Sequence, residues 1–368
     1  MATAWPQKFD IPLAAKLRRR TIEGIPPSLV YSAPMVNIRS ALAFSMTINE
    51  RYWLENKMFG GRMIEWGTGD ANVVYGMYGS GVPFWRHARE RGLKVAVDMY
   101  ITPLYCRIIA QEQEAYPDWE DPAEGSASDL ELIDCLSREV IETADLLLCP
   151  SQNVLDDVNI FAGELSPSIE VVPPATVVPY GIKVGHVVRG SPTPGRILFA
   201  GGADLRKGIQ YLAKTAASIA GSPKHYEFRI AGMVSERIRR HPETHALNFL
   251  GHLSKERLDE EFRTADVFVL PTLAEGSATV VHEALAAGVP VVTSRYAGSV
   301  VTHGKDGLII ADRDSDALAN AIEKIVQDRS LRDAMSESAI ETAADFDEGP
   351  WSKRLVEALM TLACEPDL

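Results

Sequence analysis

The sequence predicts an α/β protein with two Rossmann-like domains. Its 368 residues are 46% hydrophobic and 24% charged, as expected for a soluble chain long enough for two domains. After Gly195, short runs of β-branched residues alternate with amphipathic helical patterns. These runs are apolar throughout, which is typical of a parallel sheet covered by helices on both faces.

The half of the chain before residue 180 alternates less regularly but also predicts an α/β domain. We expect three strands and two helices there, and an exposed loop where proline and acidic residues are frequent. The strands are predicted at 72–77, 94–97 and 145–149, the helices at 84–91 and 129–143, and the loop at 117–128.

The second half predicts a doubly wound domain that follows a linker near 178–194. We place its boundaries at 181–345 and those of the first domain at 1–180, and we expect residues 346–368 to form a helix that packs back on the first domain. Strands are predicted at 196–200, 226–231, 247–250, 266–270, 289–293 and 308–310, and helices at 209–219, 258–265 and 318–325.

Charge and cysteine content exclude several classes of protein. A net charge of -13 argues against a nucleic-acid partner. The four cysteines have no C-x-x-C spacing, which fits a reducing compartment without disulfides or a zinc site. Because we find neither a membrane-spanning apolar run nor a signal-peptide core, we expect a cytoplasmic protein.

One basic cluster interrupts this acidic composition. It consists of Lys16, Arg18, Arg19 and Arg20. Two interpretations stay open: contact with an anionic lipid or the inner face of a membrane, or a solvated basic face.

The segment after the strand at 266–270 carries the first chemical motif. Glu275, Gly276, Ser277, Ala278 and Thr279 lead into a helix expected from about Ser277 to Ala287. Free N–H groups at a helix start favour an anion such as a diphosphate, and a glycine lets that ligand approach closely.

Two carboxylates belong to this motif. Glu283, about two turns into the helix, can accept hydrogen bonds from sugar or ribose hydroxyls, and Glu275 can do so from the loop. The alternative is a loop carboxylate and a solvated helix residue. The neighbours of Glu283 at 280, 281, 284 and 285 are apolar, so we expect that carboxylate to need partners.

A second motif follows the strand at 196–200. Gly201 and Gly202 open a tight turn, and Arg206 and Lys207 stand just before a helix. Cations are unfavourable at the positive end of a helix dipole unless an anion lies between them. The pattern therefore indicates countercharge for a diphosphate.

Together these motifs resemble the signature of retaining GT-B glycosyltransferases of family 4, the bacterial glycosyl group 1 type. The likeness rests on Glu275, seven residues, Glu283 and the following Ala-Leu-Ala-Ala-Gly-Val-Pro-Val-Val, and it covers roughly residues 144–359. It implies a GT-B fold, in which an acceptor-binding domain (1–180) faces a nucleotide-sugar-binding domain (181–345) across a cleft.

The resemblance also implies site roles. Glu283 would bind the ribose, Glu275 and the loop 276–279 the sugar, and Arg206 with Lys207 the diphosphate, next to Gly201 and Gly202. It implies transfer of a sugar from a nucleotide-diphosphate donor to a saccharide or lipid-linked hydroxyl acceptor, with retention and without a metal or cofactor.

The chain departs from the family pattern on the acceptor side. Many members have Gly-Arg where this chain has Gly201–Gly202, and a histidine where the strand at 94–97 runs on to Asp98 and Tyr100. Asp98 and Tyr100 are acceptor-side candidates with the loop Gly79, Ser80 and Gly81, although capping or packing explains them equally. Either the first domain is shortened or the sequence begins inside a longer gene product.

Two further motifs in the sequence suggest other functions. Gly79-Ser80-Gly81 followed by Asp98 has the outline of a dinucleotide fingerprint, but Phe84 replaces the small third residue. Asp312-Arg313-Asp314 resembles a metal-binding Asp-x-Asp, although helix capping accounts for it. A nucleotide-sugar epimerase of GT-B architecture and a non-catalytic GT-B-like binding subunit are the remaining alternatives.

Overall fold

The protein contains two parallel β-sheets with helices, as the sequence predicts. The computed structural model describes residues 48–121, 127–165, 173–183, 190–221, 225–298 and 300–364, together with Tyr31, Val36 and Met46. The basic cluster at 16–20 lies outside these residues. Among the helices that are described, none is long and apolar enough to cross a membrane.

The first sheet has four strands in the order β1-β2-β3-β4, all parallel. Its core contains fully buried apolar side chains such as Trp85, Val95 and Leu147. The elements are α1 (Ile48–Trp66), β1 (Val73–Met77), α2 (Val82–Glu90), β2 (Lys94–Asp98), α3 (Tyr105–Ala115), α4 (Ala127–Thr143), β3 (Leu146–Cys149), α5 (Gln152–Leu165) and β4 (Ala175–Val177).

The second sheet has six parallel strands in the order β10-β9-β8-β5-β6-β7. Strand order reverses between β5 and β8, and ligands of doubly wound sheets bind at the carboxyl ends of strands at such a point. The elements are β5 (Arg196–Ala200), α6 (Ile209–Ile219), β6 (Glu227–Ala231), α7 (Glu236–Arg239), β7 (Leu247–Gly251), α8 (Lys255–Thr264), β8 (Val267–Leu270), α9 (Thr279–Ala286), β9 (Val291–Ser294), β10 (Gly307–Ile310), α10 (Ser315–Gln327), α11 (Arg329–Asp345) and α12 (Glu348–Cys364).

Two stretches of chain cross between the sheets side by side. The Ile182 N–H donates to the Phe346 carbonyl over 3.0 Å. A Cβ on Gly181 would lie 2.2 Å from the Asp347 carbonyl oxygen, so only glycine fits between them. Beyond this point α12 packs on the first sheet, where Leu362 is buried with Ala96 and Leu148.

The predicted exposed loop at 117–128 is corrected in part. In its described portion, 117–121, residues 117, 118 and 121 are exposed, but the segment docks on the second domain through Trp119. Trp119 is only 2% exposed and stacks on His241 at 4.2 Å between ring centroids. Glu120 Oε1 accepts the Leu205 N–H over 2.7 Å, and the Arg237 guanidinium pairs with Asp121. Burial of the Trp119 ring and the hydrogen bond of Glu120 therefore override the loop-like composition.

Candidate functional site

The candidate site lies where the strand order of the second sheet reverses. We call residues 201–208 the β5 loop and residues 271–278 the β8 loop. The Arg206 carbonyl accepts hydrogen bonds from the Leu273 N–H, over 2.8 Å, and from the Thr272 hydroxyl, over 3.1 Å. A Cβ on Gly208 would lie 2.1 Å from the Pro271 carbonyl oxygen. The two loops thus form one continuous wall.

The charged centre of this wall is Glu275. Its Oε1 lies 2.6 Å from Arg206 Nη1 and 2.7 Å from Lys207 Nζ, so both predicted cations converge on one carboxylate oxygen. Arg206 Nη1 also donates to the Ala274 carbonyl over 2.7 Å. The Glu275 and Lys207 side chains are 15% and 13% exposed, which strengthens their interaction relative to a surface pair.

Gly201 and Asp204 shape the floor below Lys207. Gly201 has φ of 131°, and the Lys207 side chain lies 3.3 Å from where its Cβ would be, so the lysine passes over bare backbone. Asp204 Oδ1 accepts the Lys207 N–H over 2.9 Å, and burial raises the pKa of this carboxyl. Asp204 was not predicted, although its position before two cations is a usable signal.

The β8 loop meets the first domain at Gly276. A Cβ there would lie 1.8 Å from the Tyr100 carbonyl oxygen, and the Ser151 hydroxyl donates to the Gly276 carbonyl over 2.7 Å. Backbone of the first domain occupies the space of a Cβ, so domain packing also requires a glycine here, and the predicted approach of a ligand stays a prediction. Ser151 was missed because nothing in the sequence links residues 125 positions apart.

The N–H groups of the β8 loop are only partly available to an anion. The Ala278 N–H donates to the Ala297 carbonyl over 2.9 Å, which corrects the expectation that the whole stretch is free. Within the described residues, the N–H groups of Gly276, Ser277 and Thr279 have no such partner. The helix begins at Thr279, after Ser277, and its N-cap Ala278 provides no side-chain cap. The positive end of α9 thus remains open.

Glu283 is half-buried on α9, between the buried residues Val281 and Leu285. Burial raises the pKa of its carboxyl, and Lys255 opposes this rise. In the part of the chain that the structure describes, no hydrogen bond or ion pair engages the carboxylate. Among the described residues the carboxylate is thus left able to accept hydrogen bonds from ligand hydroxyls or water.

The acceptor-side candidates Asp98 and Tyr100 are tied into the first domain. Asp98 is 3% exposed and accepts from the Tyr75 hydroxyl over 2.6 Å and from Tyr180, and burial raises its pKa. The Tyr100 hydroxyl bonds to Tyr52 over 2.8 Å. Asp98 is thus packed under tyrosines, whereas Tyr100 reaches the β8 loop through its carbonyl.

The loop Gly79-Ser80-Gly81 packs against α1. A Cβ on Gly79 would lie 2.3 Å from the Tyr52 hydroxyl oxygen. Asn56 Oδ1 accepts the N–H groups of Gly81, over 2.5 Å, and Val82, over 2.9 Å. Because a side chain fills the start of α2, the loop does not offer the free N–H groups that a dinucleotide cradle needs.

A cavity of about 550 Å³ adjoins the β5 loop, between the two domains. Its lining includes Arg206 and Gly202 from the predicted site, and polar residues of the first domain that were not predicted. The latter are Gln113, Glu120 and Asp121. Gln113 lies on α3, and the docked segment 117–121 contributes Glu120 and Asp121.

A buried carboxylate holds the domains together beside this cavity. Glu112 on α3 is 2% exposed and accepts from Arg313 Nε over 2.6 Å, from the Tyr211 hydroxyl over 2.7 Å and from Gln210 Nε2 over 2.8 Å. In the predicted Asp-x-Asp, Asp314 is the N-cap of α10 and Arg313 makes this contact. Within the described residues, no cluster of His, Cys, Asp or Glu could hold a metal.

Comparison with solved structures identifies the fold. The structure matches that of HepE from Anabaena, solved in complex with UDP, with a TM-score of 0.58 and 16% identity over 96% of this chain and 90% of that one. It matches sucrose-phosphate synthase from Thermosynechococcus elongatus with a TM-score of 0.60 and 18% identity over 93% of this chain and 82% of that one. The fold is GT-B, as the resemblance implies.

Sequence comparison finds relatives of the second domain. Residues 194–328 match the family model described as Glycosyl transferases group 1. A D-inositol 3-phosphate glycosyltransferase from Corynebacterium jeikeium is 28% identical over 61% of this chain. One from Corynebacterium urealyticum is 35% identical over 33% of this chain. The chain spans 59% and 29% of the lengths of these relatives.

Proposed function

We propose that the chain is a glycosyltransferase that moves a sugar from a nucleotide-diphosphate donor to a hydroxyl acceptor, with retention, in the synthesis of a glycan, polysaccharide or glycoconjugate. The observation that supports this most is the convergence of Arg206 and Lys207 on Glu275 at the carboxyl ends of β5 and β8. Two cations and a carboxylate at one point suit a substrate that combines a diphosphate with hydroxyl groups.

In the proposed reaction the bond between the anomeric carbon and the diphosphate oxygen breaks, and its electron pair stays on the diphosphate. The acceptor oxygen forms the new bond on the same face of the sugar, and its proton passes to the departing diphosphate. Arg206, Lys207 and the open N–H groups of the β8 loop stabilise the charge that develops on the leaving group. In this mechanism the protein itself stabilises the leaving group, with no cofactor or metal.

The proposal assigns the acceptor to residues 1–180, the donor to 181–345 and a bridging role to 346–368. Glu283 binds the ribose, and Glu275 with residues 276–279 binds the sugar. The structural similarity to HepE, which was solved in complex with UDP, supports a UDP-sugar as the first donor class to test. A saccharide or lipid-linked acceptor, and contact of the basic cluster at 16–20 with the inner membrane face, belong to the same proposal.

The test begins with a thermal-shift screen of nucleotide-sugars, because a ligand that binds only the folded state raises the unfolding midpoint. The best donor is then used in transfer assays with Lys207→Ala and Glu275→Ala. We expect each variant to lose at least about tenfold in rate, since each removes a charged contact worth about 1.5–3 kcal/mol. Arg240→Ala, whose side chain is 81% exposed, is the matched control.

Three outcomes contradict the proposal. Wild-type rates in both site variants would contradict the assignment of the site. Exchange of a carbon-bound proton of the donor's sugar ring with solvent, in the absence of acceptor, would identify an epimerase. Donor binding with neither hydrolysis nor transfer would identify a binding subunit.

A further inference from the structure

A histidine not used in the proposed reaction is bonded to the β8 loop. His282 is on the buried side of α9, and its Nε2 lies 2.9 Å from the hydroxyl oxygen of Ser277. Ser277 lies two residues after Glu275, is half-buried and stands just before the open start of α9. Gly298 packs directly against this backbone, because a Cβ there would lie 2.6 Å from the Ser277 Cα.

The surroundings of His282 keep its imidazole neutral. The side chain is 2% exposed, and its ring packs edge-on against Phe346 at 5.6 Å between centroids. Burial lowers the pKa of His282 to about 4. At neutral pH the ring therefore carries one N–H, on either Nδ1 or Nε2.

The contacts of the ring decide which nitrogen carries the proton. His282 Nδ1 is buried and has no hydrogen-bond partner in the described part of the chain. A proton on Nδ1 would leave an N–H group unsatisfied in the interior, which is rarer and more costly than an unused lone pair. The proton therefore belongs on Nε2, and His282 donates to the Ser277 oxygen.

This direction of donation fixes what Ser277 can do. Its hydroxyl oxygen accepts from His282, so its own proton must go to another acceptor. Among the described residues, the Ser277 hydroxyl makes one hydrogen bond, to His282. No described protein group accepts its proton. Because Ser277 is half-buried and lies two residues after Glu275, an oxygen of a ligand bound there can accept this proton in place of water.

We propose that His282 is a positioning residue: by donating to Ser277, it presents the Ser277 hydroxyl as a donor to an oxygen of the nucleotide-sugar. The inference rests on the proposed function. It adds an uncharged hydrogen-bond donor to the site. The acceptor is an oxygen of either the diphosphate or the sugar. Binding of the nucleotide with and without its sugar distinguishes the two sources.

The pair is not arranged as a nucleophile and its base. A buried imidazole with a pKa of about 4 is a weak base, and in the described residues no carboxylate orients its Nδ1. A proton on Nε2 also leaves no lone pair there to accept the serine proton. The geometry thus favours orientation of a hydroxyl and not covalent catalysis.

The test measures dissociation constants by calorimetry for UDP, GDP, ADP and the glucose conjugate of each. The variants are Ser277→Ala, His282→Leu, His282→Gln and the double variant Ser277→Ala/His282→Leu. Gln is the conservative control, because its amide N–H can replace Nε2–H, whereas Leu cannot. We expect Ser277→Ala and His282→Leu each to weaken binding about tenfold, as for a hydrogen bond to a charged or polar ligand oxygen.

We further expect the double variant to be no weaker than either single variant, and His282→Gln to stay within about threefold of wild type. If the nucleoside diphosphate without sugar already binds more weakly, the hydrogen-bond acceptor is on the diphosphate. If only its glucose conjugate binds more weakly, the acceptor is on the sugar. Unchanged binding by His282→Leu, additive losses, or a His282→Gln variant as weak as His282→Leu would overturn the inference. A wild-type chain that binds none of the six ligands would overturn the proposed function as well.

Discussion

At the scale of residues, Glu275 determines the charge balance of the candidate site. Its carboxylate occupies the point on which Arg206 and Lys207 converge, where the proposed donor places its diphosphate. A carboxylate and a diphosphate cannot share both cations without repulsion. Donor binding should therefore release Glu275 from the cations and leave it free to accept from sugar hydroxyls.

This competition predicts opposite effects of one substitution on binding and on transfer. Glu275→Gln removes the competing charge, so a nucleoside diphosphate without sugar should bind about three- to tenfold more tightly, while sugar transfer falls. Titration of UDP, GDP and ADP measures the first effect. Glu260→Gln, which removes a carboxylate that is 61% exposed on α8 and is not paired with these cations, is the control. Weaker nucleotide binding by Glu275→Gln would show that no competition exists.

At the scale of elements, the second domain could be predicted closely because its strands are continuous apolar runs. The predicted strand 196–200 and helix 209–219 coincide with β5 and α6. The helices α1, α3 and α5 were missed, since polar residues such as Asn56 and Glu112 are buried in them and weaken the apolar period. Those residues find their partners only through tertiary contacts.

The docking of the segment 117–121 likewise depends on tertiary contacts that its own sequence does not indicate. This docking can be tested. Trp119→Ala should lower the free energy of unfolding by about 3 kcal/mol, because it removes a buried aromatic side chain at the domain contact. Urea unfolding followed by fluorescence measures the change, with Trp119→Phe as the control that keeps a ring. A change below about 0.5 kcal/mol would mean that this segment lies in solvent, as its composition suggested.

Among site residues, those within one motif were predictable and those joined across the chain were not. Arg206, Lys207 and Glu275 stand in two local patterns, and the fold brings them together. Ser151 and Tyr100 meet Gly276 through the packing of two domains, for which short-range spacing gives no signal. The acceptor side was therefore open to several interpretations.

At the scale of the whole molecule, the carboxyl ends of the two sheets face each other across the candidate site. Tyr100 and Ser151 from the first domain contact Gly276, and Glu112 anchors α3 to the second domain. These contacts enclose one side of the site and leave the cavity beside Arg206 on the other. The proposed donor site thus depends on both domains, although its charges come from one.

The most direct test of the proposed donor site is a calorimetric titration of UDP-glucose, GDP-glucose and ADP-glucose into the wild type and Arg206→Ala/Lys207→Ala. We predict that at least one ligand binds the wild type and that the double variant binds it at least about 100-fold more weakly, since two charged contacts are lost. Equal affinities, with both proteins folded by circular dichroism, would contradict the account.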